Sequence, residues 1–469
     1  MSEPIIEAGF ASREFIPPPG LSLQGQFYLR VATGIRDPLE AVAMALRQNN
    51  VVVVMVTLDL CVLDEGFVRS CQSAFEQDHG IPGANLLIHS THTHVAPALN
   101  AALSAGLGMQ DIDPAYVSAV KLCLLETVAE AIKRLAQVTL HAGCGKAEFL
   151  GWNRRAMFND GSSQMYGHSE MPGFAGMEGP RDSDLPVMFA RNRDGRITGA
   201  VFSFASHPNS MEHGLKCSAD FPGEARRQVS RTLNGIPVLY LTGAAGNTAP
   251  SVLDPLDRSQ PWRGEEGLIR SGQYLAKIAL GVITSSPPAM INSTLALERT
   301  VLEIELRPWP QPEDPSHPKA NLVNEETTRI YRLVEADWPE RLNRQSPARV
   351  SLNVLRVGDV VFCTNPVELF VEFGLEIKHW STAGVTFVVE LTDGYAGYAP
   401  TQKAFGRGGY EVWPSPGSFL KIGAGEQIVE TTQLMLDRAG CGRPLPIGRT
   451  SWPGLWWTGR GSPGWHSVP

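Results

Sequence analysis

Short apolar runs rich in β-branched residues alternate along the chain with segments whose apolar positions recur every three or four residues. The run VVVVMVTL at Val51–Leu58, bounded by Asn49-Asn50 and Asp59, reads as a strand buried on both faces. Leu86-Leu87-Ile88 reads as a second strand that runs straight into a histidine-rich segment. Asp113-Pro114 supplies an N-cap followed by proline at the first helical position. Val117, Val120, Leu124, Val128, Ala131 and Leu135 then mark a long amphipathic helix. Further strands are predicted at residues 185–189, 199–205, 238–241 and 385–390, with a hairpin turning at Val357-Gly358-Asp359. Helices are predicted at residues 221–233, 265–284 and 366–380. Strands and helices interleave without a long linker, so the reading is α/β: mixed β-sheets flanked by helices in one domain over residues 1–440. Residues 151–182, rich in Gly, Met, Asn and Arg and without periodicity, are expected to be a long site-forming loop. No internal repeat is visible.

Composition narrows the function. Hydrophobic residues are 43% of the 469 and charged residues 19%, the balance of an ordinary globular protein. The net charge of −8 and the absence of any Lys/Arg block longer than a doublet exclude a nucleic-acid footprint. No apolar stretch is long enough to predict a membrane-spanning helix. The opening MSEPIIEAGFASREF carries neither a basic nor an apolar leader region, so no secretory signal is expected. Seven scattered cysteines without a CxxC pair read as reduced thiols, and the expected location is cytoplasmic. Residues 441–469 form a Pro/Gly-rich tail holding Trp452, Trp456, Trp457 and Trp465. That much exposed aromatic surface predicts packing on the body of the chain or on a neighbouring subunit of a homo-oligomer.

The sharpest chemical feature is HSTHTH at residues 89–94, at the end of a predicted strand. Residues two apart on an extended segment point the same way, so His92 and His94 can face one cavity and offer imidazole to a metal. The bland alternative is local hydrogen bonding or a surface position. A second strand ends in His207-Pro208, for which a structural role is the commoner reading. Thr364-Asn365-Pro366-Val367-Glu368-Leu369 reads as a helix start, with Asn365 as N-cap, Pro366 in the first turn and Glu368 as the capping-box acid. It also suits presentation of a ligand. Tyr395 and Tyr398 stand in a Gly-spaced turn, DGYAGYAPT at residues 393–401.

Together and in order, these pieces resemble the catalytic domain of the neutral/alkaline ceramidase family, zinc-dependent amidases. The matching segments are THTH (91–94), Asn153-Arg154, HPNSM (207–211), GAAGNTAP (243–250), PVEL (366–369), and YAGYAPT (395–401) with Tyr410-Glu411. The opening GFASREFIPPPGLSLQGQF and the DPLEAVAMAL segment from Asp37 resemble the start of shorter bacterial members. The resemblance implies Zn2+ held by His92, His207, Glu368 and Tyr398. It also implies that His94 and Arg154 either support the metal's ligands or polarise substrate, and that Tyr398, rather than Tyr395, is the tyrosine at the metal. Such a donor set leaves room for a water, whose pKa zinc lowers to about 7 for attack on a carbonyl. A fixed donor such as His94 or Arg154 then meets the developing oxyanion. Asp59 is read either as support for the site or as a strand-end cap.

The chain departs from the family's pattern at Gly243, where the family places a substrate-contacting serine, and at Asn247, where it places an aspartate. It also ends near the catalytic domain. The expected function is therefore zinc-dependent hydrolysis of a linear amide, with a small soluble N-acyl compound preferred over long-chain ceramide. Ester or lactone hydrolysis at the same site, or another metal-assisted reaction on a small polar molecule, is the second reading. A catalytically silent metal-binding or interaction protein is the third.

Overall fold

In the computed structural model, which describes residues 6–99, 112–250, 262–290, 294–318 and 325–443, the chain builds one topology three times. The first unit comprises β1 (Glu7–Phe15), β2 (Leu39–Gln48), β3 (Val51–Leu58), α1 (Glu65–His79), β4 (Leu86–Ser90) and α2 (Pro114–Lys133). The second comprises β5 (Thr139–Lys146), β6 (Asp184–Arg191), β7 (Ile197–Phe204), α3 (Asp220–Thr232), β8 (Val238–Thr242) and α4 (Gly264–Thr284). The third comprises β9 (Leu295–Ile304), α5 (Glu325–Gln345), β10 (Ala348–Val357), β11 (Val360–Thr364), α6 (Val371–Trp380), β12 (Val385–Val389), the short α7 (Gln402–Phe405) and α8 (Ala424–Arg438).

In every unit the sheet order is fourth-third-second-first strand. The first three strands pair antiparallel; a helix then crosses over to a fourth strand parallel to the third, in registers such as Val56↔Ile88, Phe202↔Tyr240 and Phe362↔Phe387. The mixed-sheet α/β expectation thus holds, and the expectation of no internal repeat does not. The repeat is one of topology. The connections between first and second strands span residues 16–38, 147–183 and 305–347, which erases any fixed period in the sequence.

Alternation within the strands explains the continuous apolar runs. Val53 and Met55 of β3 and Leu87 of β4 point to a core shared by all three sheets, with Met188, Val201 and Leu239 of the second and Leu355, Phe362 and Phe387 of the third. Val54, Val56, Leu86 and Ile88 point the other way, against α1 and α2. The outer faces of the second and third sheets are likewise covered by α3 with α4 and by α6 with α8. Both faces of the inner strands are therefore dry, which selects Val, Ile and Leu at consecutive positions.

Several local expectations hold. Asp113 caps α2, its carboxylate accepting from Ala115 N at 2.8 Å. All seven cysteines are free, and no helix among the described residues is long and apolar enough to cross a membrane. The four tail tryptophans lie outside the described residues. Two expectations change. Residues 151–182 are not one irregular loop: Arg155–Phe158, Ser163–Met165 and Phe174–Met177 form a small three-stranded sheet, and Trp152–Asn153 pairs with Thr248–Ala249. Strands this short show no readable alternation.

The helix expected from Pro366 starts only at Val371, so the capping role of Glu368 is overturned. Glu368–Leu369 instead pairs parallel with Tyr398–Ala399. The helix start is served from a distance by Asn247, whose Oδ1 accepts from Val371 N and whose Nδ2 donates to Glu372 Oε2, both at 2.8 Å. An aspartate at this position would set a second carboxylate against Glu372. Burial pushes Glu372 up to about 7 from the ordinary 4.5. An acid with a raised folded-state pKa contributes stability below its unfolded value and loses it as pH rises to the folded value. Relative to wild type, Glu372→Gln should therefore gain about 1.4 kcal/mol per pH unit between pH 4.5 and about 7. Denaturant unfolding at pH 4 and pH 8 checks this; equal differences at both pH values would contradict it.

Candidate metal centre

The predicted histidines, Glu368 and the tyrosines leave the sheets at equivalent places, past the carboxyl ends of third and fourth strands, whereas Arg154 comes from the connection between the first two strands of the second unit. His92 and His94 follow β4, His207 follows β7, Glu368 follows β11, and Tyr395 and Tyr398 follow β12. The carboxyl ends of parallel strands are where open α/β sheets present ligand sites. The topology repeat thus brings together residues that lie far apart in the chain.

His92 and His94 both line the pocket, but not as alternate residues of an extended strand. His92 has φ 69°, a left-handed conformation costly for a residue with a Cβ. It is held there by backbone bonds of Thr91 N to Leu58 O and His92 N to Leu60 O, both 2.9 Å. Asp59 steadies the same turn. It accepts from Thr91 Oγ1 at 3.2 Å and from Arg226 Nη1 at 2.8 Å, and Glu40 N donates to its other oxygen. Asp59 is thus a buried support rather than a pocket residue.

Three side chains converge. His207 Nε2 lies 3.0 Å and His92 Nε2 3.4 Å from Glu368 Oε2. His92 Nδ1 meets the Cys61 carbonyl at 2.8 Å, and His207 Nδ1 meets the Ala245 carbonyl at 2.7 Å. A carbonyl only accepts, so each Nδ1 carries a proton, which leaves each Nε2 facing Glu368 as the nitrogen that would offer its lone pair to a bound metal. Imidazoles that hold a metal are commonly oriented this way by a bond from the other nitrogen. The ligand atoms of His92, His207 and Glu368 all lie within 4.8 Å of one another, and all three residues are buried. On donor chemistry and spacing, this set fits a zinc ion. Burial alone would raise Glu368, yet His92 and His207 hold it well below the ordinary carboxylate range.

The other predicted residues surround this set. His94 Nε2 is 3.4 Å from His92 Nε2; burial first, then the neighbouring His92 and His207 rings and the charge of Arg30, push its pKa well down. Gly25 (φ +108°) lets the loop carrying Gln24, Gln26 and Phe27 lie on His94, because a Cβ there would stand 2.6 Å from the ring. Arg154 donates from Nη2 to the Tyr398 hydroxyl at 3.0 Å, and from Nε to Glu411 at 2.9 Å. Burial and then Glu368 raise the Tyr398 phenol well above its usual value, against the lowering effect of Arg154. Tyr395 donates to the other oxygen of Glu368 at 2.7 Å. The pocket, about 50 Å³, is lined by both tyrosines, Glu368, His92 and His94, and also by Phe27, Cys61 and Tyr410.

Some residues stand apart. His89, the first histidine of the motif, is fully buried away from the pocket. Its Nδ1 meets Thr57 Oγ1 at 2.8 Å and its Nε2 accepts from Thr242 N at 3.1 Å, which ties the first two sheets together. Gly243 does not line the pocket with His92. It borders a smaller cavity with Asp182 and Lys378, and a Cβ on it would sit 3.0 Å from Ala205 Cα. A missing serine hydroxyl there removes no contact from the pocket. Reading the sequence gave no role of their own to Cys61, Phe27, Tyr410 and Glu411. Tyr410-Glu411 stood only as part of a motif, and the loop over residues 24–27 has no local pattern that signals a site.

Three antiparallel-plus-crossover sheets around a shared core, with a buried His-His-Glu set past their strand ends, define an α/β protein with a candidate metal centre. The fold is that of the bacterial neutral ceramidases. The structure resembles neutral ceramidase from Pseudomonas aeruginosa with a TM-score of 0.73 at 17% identity, covering 96% of this chain and 76% of that one. It resembles a second solved structure, a ceramidase complexed with C2, with a TM-score of 0.71 at 16% identity, over 96% and 77% of the two chains. At these identities the likeness is one of fold. No protein-family model matches the chain, and no curated protein matches it.

Proposed function

We propose that the protein is a zinc-dependent hydrolase of linear amides, with a compact N-acyl compound as substrate. The observation that carries the reading is the convergence of two imidazole Nε2 atoms on the Glu368 carboxylate, each imidazole locked by a backbone carbonyl on its far side. His92, His207 and Glu368 would hold the metal, with Tyr398 the fourth residue expected there. Bound zinc supplies Lewis acidity and brings the pKa of a water near 7.

The chain's own groups do the rest. Tyr398 accepts from Arg154, which leaves its own proton to donate to an oxyanion forming in the pocket. His94, whose Nε2 lies 3.4 Å from His92 Nε2 at the pocket wall, is placed to exchange a proton with a leaving amine. Tyr395 orients Glu368 through its hydroxyl. Phe27 and Tyr410 pack edge-to-face at 5.5 Å and narrow the pocket wall, which supports a compact acyl group over two long alkyl chains. The free cysteines accord with a reducing compartment such as the cytoplasm.

A panel of N-acyl amides, esters and lactones, with long-chain ceramide included, tests the reading. The expected result is a higher kcat/KM for short N-acyl amides than for ceramide or any ester. Ceramide equal to the best short amide would overturn the substrate assignment, and preference for esters would favour the second reading. Tyr398→Phe should lower kcat by about 10²–10³ with KM little changed, as expected for loss of one oxyanion donor. Tyr395→Phe should have the smaller effect, and the reverse order would exchange the two roles.

A further inference from the structure

We propose that Cys61, His92 and His94 form a second, thiol-bearing donor set, which captures a thiophilic divalent cation such as Cd2+ and inhibits the enzyme by doing so. Cys61 follows β3, where the chain turns beside the pocket that its side chain helps to line. Each of the three residues presents a ligand atom, all within 4.8 Å of one another, and all three are buried. Cys61 Sγ lies 3.8 Å from the His92 ring at Nδ1, the nitrogen tied to the Cys61 carbonyl, so His92 would offer its Nε2 to either set. His94 is 8% exposed, and its Nδ1 is a buried nitrogen with no hydrogen-bond partner. A buried imidazole nitrogen left without a partner carries a desolvation cost that a cation would relieve.

The two sets differ in chemistry. His207 and Glu368 complete the first with nitrogen and carboxylate oxygen. The second adds sulfur, which selects soft ions. As the metal–sulfur bond forms, the Cys61 thiol releases its proton to solvent. His92 is common to both sets, so an ion on the thiol side draws on a ligand that the first set needs and stands in the substrate pocket. Cys71, Cys363 and Cys441 lie in apolar core clusters, and among the described residues no second group of this kind contains a cysteine.

The inhibition rests on the hydrolase reading, whereas the binding does not, so two readouts are needed. Cadmium chloride is titrated into the zinc-loaded full-length protein while thiolate-to-cadmium absorption and amide hydrolysis are followed. The expected result is a band saturating at one equivalent that is lost in Cys61→Ser and retained in Cys144→Ser, which removes an exposed thiol instead. The cadmium concentration for half inhibition should rise by at least about tenfold in Cys61→Ser. A band of equal size in Cys61→Ser, or an unchanged inhibition curve, would overturn the proposal. A folded His207→Ala protein, impaired only in the first set, should keep the band when titrated with cadmium alone. Its disappearance there would show that the thiol set is not separate.

Discussion

Replacing His207 with alanine is expected to remove stoichiometric zinc and hydrolytic activity together. His207 is fully buried, its Nδ1 is committed to the Ala245 carbonyl, and its Nε2 faces Glu368 at 3.0 Å. A bound metal is worth several kcal/mol of transition-state stabilisation, so kcat/KM should fall by about 10³ or more. His92→Ala and Glu368→Gln should behave alike. The glutamine variant is the informative control, because it keeps the volume and the Tyr395 contact while removing the charge. Elemental analysis showing full zinc in all three variants would sink the ligand assignment.

The second large effect concerns stability. Glu411 is fully buried between two guanidinium groups, accepting from Arg154 Nε at 2.9 Å and from Arg155 Nη1 at 2.6 Å. Glu178 takes the other side of Arg155 at 2.7 Å, and the Gly246 carbonyl accepts from Arg154 at 3.0 Å. Removing one partner of such a group leaves buried charge uncompensated, at a cost of about 3–5 kcal/mol. Glu411→Ala should therefore lower the denaturant midpoint with the slope unchanged. Because Arg154 also positions the Tyr398 hydroxyl, activity measured well below the melting transition should fall in kcat more than in KM. An unchanged midpoint would mean that the two arginines are compensated by other groups.

The parts of the fold that could be read from the sequence are those whose signal is local. The run at Val51, the Asp113-Pro114 helix start and the turn at Gly358 each carry their own pattern, and each element forms where the pattern places it. The repeat of three sheets was hidden because it resides in pairing, while its long connections differ in length and sequence. Glu368 shows the limit most clearly. Asn365, Pro366 and Glu368 together satisfy the local rules for a helix start, and nothing nearby reveals that Glu368 pairs with Tyr398 instead. The true cap, Asn247, comes from another unit.

The site was readable only in fragments. His92 and His94 announce themselves by spacing, yet they face the pocket through a left-handed turn that spacing does not predict. His207 and Glu368 entered through family resemblance, since each has a bland local explanation. Cys61 carried no signal of its own and Tyr410 stood only within a motif, because their placement in the pocket depends on how distant segments meet.

The most direct test of the central claim is anomalous diffraction at the zinc edge from crystals of the protein purified without added metal. The account predicts one strong peak bonded to His92 Nε2, His207 Nε2 and the Glu368 carboxylate, at the distances of about 2.0–2.2 Å usual for zinc, with the Tyr398 hydroxyl nearest among the phenols. An active protein whose crystals show no zinc peak within reach of these three side chains would contradict it.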